Sequence, residues 1–218
     1  MSANPKTLEE RLKVDNVIPL SFFSRPAEIV APDLIGCKLV KRQSNGEILW
    51  GVIVETEAYC QSEPSCHGFN RRSASNETLF GLPGHLYIYL TYGIYHCVNV
   101  VTDKPNWASG VLLRALALPN EDERIASGPG LLAKRFELNR SHDNLPLLSE
   151  NNIWIAFQSL TNEKNTIVRT TRIGISKAES LPYRWYLKES RSVSKRAKGD
   201  HCPNKSISWK PSLGISHD

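Results

Sequence analysis

KLVKRQSNGEILWGVIVETEAY, residues 38–59, holds Asn45-Gly46 between two runs rich in aliphatic and β-branched residues. Asn and Gly tolerate the left-handed backbone that a tight turn between antiparallel strands demands, so the segment reads as a β-hairpin. Side chains alternate along a strand, which places Ile53, Glu55, Glu57 and Tyr59 on one face and Val52, Val54, Thr56 and Ala58 on the other. Upstream, PAEIVAPDLIG (26–36) starts with proline and carries Ile29, Leu34 and Ile35 at near-helical spacing, with Pro32 limiting it to a short helix. Downstream, residues 60–85 are polar, rich in Ser, Asn and Gly, and aperiodic, so they read as a long loop of the kind that carries function or stays disordered. HLYIYLTYGIYHCVNVVTD (85–103) reads as two strands meeting near Thr91 to Gly93, and GVLLRALAL (110–118) as a further strand. GPGLLAKRFEL (128–138) reads as a helix behind a Gly/Pro turn, and NIWIAFQ (152–158) and TIVRTTRIGIS (166–176) as late strands. No repeat is present, and no linker divides residues 20–195.

The composition fits one folded domain: 218 residues, 40% hydrophobic and 22% charged. No run approaches the roughly 20 apolar residues that span a bilayer, and the opening MSANPKTLEERLK lacks the apolar centre of a secretory signal. A cytoplasmic location is expected, with no membrane partner. Cys37, Cys60, Cys66, Cys97 and Cys202 are odd in number and form no CxxC, which argues against a disulfide framework and a Cys-rich zinc site. The net charge of +5 is uneven. Residues 1–160 carry 15 basic and 17 acidic side chains, whereas residues 161–218 carry 12 and 5, among them Arg169, Arg172, Lys177, Arg184, Lys188, Arg191, Lys195, Arg196 and Lys198. Such a concentration attracts a polyanion if the fold gathers it on one face; a solvated basic tail has the same composition.

Several residues invite chemistry. Glu55 and Glu57 project two carboxylates from one strand face just after a hydrophobic run, where one of them lining a cleft would activate water or stabilise a developing cation. The strand pattern does not choose between them, and on a solvated face both are ordinary. Tyr87, Tyr89, Tyr92 and Tyr95 are four of the seven tyrosines. A β-sheet accounts for the first two, but Tyr92 sits where the chain turns and resembles an aromatic wedge in a base stack. Arg114 within LLRALAL is costly unless paired, with Glu55 or Glu57 as candidate partners, and Asn99 within HCVNVV likewise needs a partner or a cavity. His67 lies in the polar loop; with His85, His96 and His142 it forms no metal-ligand spacing, so no metal and no cofactor are expected.

LIGCKLV, GVIVETEAY, the histidine of CHG, GLPGHLYIYLTYGIYHCVNVVT, VLLRAL, GPGLLAKRF and a weaker TTRIGISKAES together resemble the alkyladenine (3-methyladenine) DNA glycosylase family of the mammalian type, over about residues 20–195. The resemblance implies an α+β fold: a single compact domain whose curved, mainly antiparallel β-sheet is flanked by helices and bears a protruding β-hairpin with an intercalating Tyr. It implies a monomeric, monofunctional glycosylase of double-stranded DNA containing damaged purines, residing with the nucleoid or in the nucleus. Glu57 is then the general base, with Arg114 helping to hold the catalytic water and a phosphate. Tyr59 and His67 form one wall of the base pocket and Tyr89 the opposite wall. Asn99 disfavours the amino group of guanine, Tyr92 is the wedge, and the backbone carbonyl of Ile173 contributes to the water site. A backbone group at His67 reads the purine edge.

The chain departs from the family pattern at Ser75, where Arg is usual, and at Leu79, where Met is usual, leaving Arg71 and Arg72 as nearby charges able to compensate. The expected organisation is an N-terminal extension (1–19), a glycosylase domain (20–198) and an extended or disordered tail (199–218). Two other readings share these residues. One is a protein that flips damaged bases without excising them, against which Glu57 argues. The other is an RNA-binding protein whose tyrosines stack unpaired bases, weakened because they match no RRM pattern.

Overall fold

A computed structural model describes residues 16–157 and 166–211. Residues 1–15 of the expected extension, Gln158 and residues 212–218 of the expected tail lie outside the described residues. The strands are β1 (Lys38–Arg42), β2 (Ile48–Cys60), β3 (Leu86–Thr91), β4 (Tyr95–Val101), β5 (Ser109–Ala117), β6 (Ile153–Ala156), β7 (Ile167–Thr170) and β8 (Arg184–Leu187), with helices α1 (Ala27–Asp33) and α2 (Pro129–Arg135). They form a curved antiparallel sheet in the order β3-β4-β5-β2-β1-β6, with β8 joined to β2 and to β7. The fold is thus α+β with flanking helices. Among the described residues no helix is long and apolar enough to cross a membrane.

The Asn45-Gly46 hairpin forms as expected, with Val40 opposite Trp50 and Arg42 opposite Ile48. Gly46 takes φ +86°, where nothing crowds it. β2 is long enough to serve three partners. β5 runs along one edge, while the other edge carries β1 beside Ile48–Val52 and then β8 beside Glu55–Glu57. β8 is not legible in the sequence, because its four residues are too few to show an alternation.

Alternation along β2 holds only in part. The β2–β5 register shifts on either side of Glu55, and neither Val54 nor Arg114 has a partner in the ladder. These irregularities break the alternation, so that Ile53 and Val54 both enter the main core. Before the break Leu49 and Ile53 face that core, and after it Val54 and Ala58 do, leaving Glu55, Glu57 and Tyr59 on the opposite side from Ile53. The expected face shared by Ile53, Glu55, Glu57 and Tyr59 is corrected accordingly.

The main core lies between the sheet and both helices, with Ala27, Val30 and Ala31 of α1 and Leu132 and Ala133 of α2 packed against β2, β4 and β5. Pro32 sits inside α1, which ends at Asp33 as the sequence requires. Two smaller clusters complete the packing. Val40, Trp50, Val52, Trp154 and Ala156 form one, and Cys66, Leu79, Phe80, Tyr87, Val101 and Ala108 form the other, from which the cavity opens. The loop over residues 61–85 contains no strand; its one regular piece is a 3-10 turn at Glu77–Phe80.

Beyond residue 198 the chain returns to the body. The Trp209 N–H donates to Glu189 O (2.9 Å), Trp209 bridges Ser190, and its ring packs on both the main core and the Trp50 cluster. The ring is half-buried. Trp209→Ala is expected to destabilise the protein by about 1–3 kcal/mol in urea unfolding; a change under about 0.5 kcal/mol would show that this contact does not hold in solution.

Candidate active site

The break in β2 leaves Glu57 fully buried behind a cavity of about 340 Å³. Its carboxylate is held from three directions. The Ile173 N–H donates to Oε1 (2.8 Å), while Tyr59 Oη (2.8 Å) and Arg114 Nη1 (3.1 Å) donate to Oε2. All three partners line the cavity. Burial pushes the Glu57 carboxyl above its ordinary value and Glu55 pushes it further, against the pull of Arg114, the Ile173 N–H and Tyr59. Oε1 carries one hydrogen bond, so it retains a lone pair for a further donor.

Arg114 meets both glutamates, with Nη1 on Glu57 and Nε 3.4 Å from Glu55 Oε1. Glu55 is bound chiefly elsewhere: Arg184 Nη1 donates to Oε1 (2.9 Å) and the Ser194 N–H to Oε2 (2.7 Å). Both acids are thus turned inward, and neither is the solvated strand acid that the sequence left open.

The cavity walls follow from strand alternation. Tyr87 and Tyr89 of β3, Asn99 of β4 and Arg114 of β5 face the cavity, while Ile88, Val98 and Leu113 face the core. Asn99 Nδ2 donates to Tyr87 O (3.0 Å), so its amide is oriented and its buried polarity satisfied. His67 reaches the cavity from the loop, its Nδ1 within 3.0 Å of Tyr87 Oη, and burial lowers its pKa, which favours the neutral ring. Asn76 staples that loop by donating to the carbonyls of His67 (2.8 Å) and Arg71 (3.0 Å).

His67 and Tyr89, expected as opposite walls, are brought together. Their ring centroids lie 4.5 Å apart at 65°, an edge-on contact. A base between two parallel rings needs about 7 Å, two van der Waals separations, so this pair encloses no open slot. Tyr92 stands apart on the β3–β4 turn at the cavity's rim and is 85% exposed. Its φ of 51° is left-handed, and with Gly93 (φ 69°) it forms a turn closed by the Ile94 N–H donating to Thr91 O (3.2 Å). That conformation costs a non-glycine residue on the order of 1–2 kcal/mol.

Sequence reasoning missed Arg172, Arg184 and Glu63. Arg172, counted among the basic residues of the rear, is buried: it forks onto Glu63 (2.6 and 2.9 Å), donates to Ala58 O (2.9 Å) and lies 4.6 Å from the centroid of the Tyr59 ring. It thus backs the Tyr59 wall while the next residue holds Glu57. Arg184 sits within the apolar run LPYRWYL, and the argument applied to Arg114 would have flagged it. Arg72 is engaged by Glu77 and Asn106, whereas the Arg71 side chain is exposed and makes no hydrogen bond or ion pair among the described residues. Leu79, one of the two departures, packs against Gly110 and lines the cavity. No group of three or more His, Cys, Asp or Glu among the described residues is placed to hold a metal ion.

Residues 21–191 match the family model described as methylpurine-DNA glycosylase (MPG). Among curated proteins named "Putative 3-methyladenine DNA glycosylase", one from Synechococcus sp. (strain JA-3-3Ab) is 40% identical over 188 residues, covering 79% of this chain and 96% of its own. Those of Trichodesmium erythraeum (41% over 198 residues; 83% and 98%) and Methanocella arvoryzae (37% over 202 residues; 84% and 98%) are similar to it along the same span.

Arg172→Ala and Glu63→Ala are each expected to destabilise the protein by about 3–5 kcal/mol, because each leaves a buried charge unpaired. The double variant is expected to cost less than the two together in urea unfolding; strict additivity would show that the pair is not coupled.

Proposed function

The chain belongs to the methylpurine-DNA glycosylase family, and from that premise we propose that it turns alkylated or deaminated purines out of duplex DNA and hydrolyses their N-glycosidic bond. The observation that carries this reading is the Glu57 carboxylate, buried behind an aromatic cavity and held by Arg114, Tyr59 and the Ile173 N–H. In the proposed reaction a water on the free lone pair of Oε1 attacks C1′ of the flipped nucleotide. The C1′–N bond breaks, its electron pair leaves with the base, and Glu57 takes the water's proton. An N3- or N7-alkylated purine already carries positive charge and leaves as a neutral base. Hypoxanthine or ethenoadenine needs a proton as well. The product is an abasic site, and among the described residues no lysine lines the cavity to form a Schiff base, which favours monofunctional hydrolysis.

The base would be read as in the mammalian-type enzymes, with Tyr59 and His67 on one face, Tyr89 on the other, and Asn99 beside the guanine amino position. Stacking contributes on the order of 1–3 kcal/mol per base. Admitting a base between His67 and Tyr89 requires the imidazole to turn away from the Tyr89 ring. The backbone of Ile173 supports the water site through Glu57, its N–H being the contact on the acid. Tyr92, exposed and held in a left-handed turn at the cavity's mouth, suits the wedge that fills the vacated stack. The partner is double-stranded DNA, and the acting species a monomer.

Single-turnover excision from duplexes carrying 3-methyladenine, 7-methylguanine, hypoxanthine or ethenoadenine tests the reading. Glu57→Gln is expected to retain lesion binding and lose base release by at least about 100-fold; equal excision by both proteins would sink the assignment. Only the carboxylate accepts the proton, so excision falls as pH drops. Because burial raises the Glu57 pKa, the fall begins at higher pH than for an exposed glutamate. No excision by the wild type of any lesion it binds would favour the flipping-only reading. Tyr92→Ala is expected to weaken lesion retention in duplex DNA more than excision from an unpaired substrate, and equal effects on the two would count against the wedge.

A further inference from the structure

Glu55 is as deeply buried as Glu57 yet takes no part in the reaction described. Its oxygens accept from Arg184 Nη1 (2.9 Å) and the Ser194 N–H (2.7 Å), and Arg114 Nε approaches to 3.4 Å. Arg114 is therefore placed between two carboxylates, but not evenly. Its Nη1 makes a hydrogen bond to Glu57, whereas its buried Nε makes none. Arg184 is fixed from outside this pair, since its Nε donates to Thr171 O (2.7 Å) and its Nη1 also to Lys195 O (2.7 Å). We propose that Arg184, by saturating Glu55, holds the Arg114 guanidinium on Glu57 and keeps Glu57 in the form that accepts a proton from water. Arg184 and Glu55 are then positioning residues for the proposed glycosylase reaction, and the inference rests on Glu57 being its base.

Two carboxylates and two guanidinium groups face one another across β2, β5 and β8, and each carboxylate has one cation as its near partner. Without Arg184, Glu55 keeps only the Ser194 N–H and the loosely placed Nε of Arg114. That Nε has no competing hydrogen bond, so the guanidinium is free to move onto Glu55 at the expense of Glu57. Without the Glu55 charge, Arg114 serves Glu57 alone. The other groups that interact with the Glu57 charge are Tyr59 of β2, Tyr89 of β3, Cys97 of β4, and Arg172 with the Ile173 N–H from the segment before β8. Neither substitution removes any of them; the Arg184 bond to Thr171 O, two residues before Ile173, is lost in Arg184→Gln and in the double variant below and kept in Glu55→Gln. The two removals therefore act with opposite sign: loss of Arg184 makes the Glu57 carboxylate harder to form, and loss of Glu55 makes it easier.

Two measurements on the full chain test this. Carboxyl carbon NMR follows the titration of Glu57 directly, its resonance assigned by its loss in Glu57→Gln, and single-turnover excision of hypoxanthine is recorded against pH for the same proteins. Arg184→Gln is expected to move the Glu57 titration and the acid limb of excision to higher pH, lowering the rate on that limb by about tenfold. Glu55→Gln is expected to move both to lower pH, and Arg184→Lys to fall between wild type and Arg184→Gln. A purely structural role would lower the rate at every pH without moving either midpoint. Should Arg184→Gln not fold, Arg184→Gln/Glu55→Gln, which keeps the cluster neutral, is compared with Glu55→Gln. Because Arg184 acts through Glu55, these two titrate together. The inference is overturned if Glu57 titrates alike in wild type and the single variants, or if the double variant titrates with wild type. If the titration moves as expected while the acid limb stays in place, the inference stands and Glu57 is not the base.

Discussion

Six ionisable side chains, three acids and three arginines, lie almost out of reach of water around β2, and any charges they carry have to cancel. Glu55, Glu57 and Glu63 come from β2 and the turn after it, Arg114 from β5, Arg172 from the segment following β7, and Arg184 from β8. Desolvating any one of them costs several kcal/mol unless a partner is in place. None finds its opposite charge on its own strand, so β2, β5, β8, the turn after β2 and the segment carrying Arg172 must all be docked before the cluster is neutral. The order β5-β2-β8 is thus fixed by charge as well as by ladder hydrogen bonds.

The irregular register of β2 against β5 is the backbone's share of that arrangement. A strand of strict alternation would place Glu55 and Glu57 on the same face as Ile53, in the packed apolar layer beneath α1 and α2. By skipping Val54 and Arg114 in the ladder, the two strands keep their apolar residues in that layer and send acids and arginine to the other side. The same geometry sets three partners of the buried Glu57, namely Tyr59, Arg114 and Ile173, on the cavity wall.

How far the sequence revealed this depends on the range of each signal. Asn45-Gly46, the tyrosine-rich hairpin and the GPGLLAKRF helix are local, and each is legible because a few adjacent residues determine the backbone. The misplaced charges in apolar runs were legible too, and Arg114 was flagged on those grounds. The resemblance then supplied roles that no periodicity gives. What stayed hidden depends on contacts between distant segments. The shift at Val54 arises from pairing with β5, and Arg172 finds Glu63 across more than a hundred residues. The rear of the chain shows this most clearly. Its excess of positive charge looks like a surface for a polyanion, yet Arg172 and Arg184 are interior, and Arg191 and Arg196 are occupied by Glu123 and Asp200.

If the cavity takes a flipped base as proposed, the edge-on contact of His67 with Tyr89 bears on selectivity. A cavity whose two aromatic walls touch at rest is competent only in the fraction of time that they part, and the apparent affinity for every base is reduced by that fraction. The reduction is the same for damaged and undamaged purines, so the contact does not itself tell them apart. It sets the level above which binding must rise to be seen. A base that gains little in the pocket stays below that level and returns to its stack, while one that stacks strongly or leaves a weakened pair rises above it. On that reading recognition works by threshold, with discrimination left to Tyr59, Tyr89 and Asn99 and the threshold set by a resting contact that a base must first part.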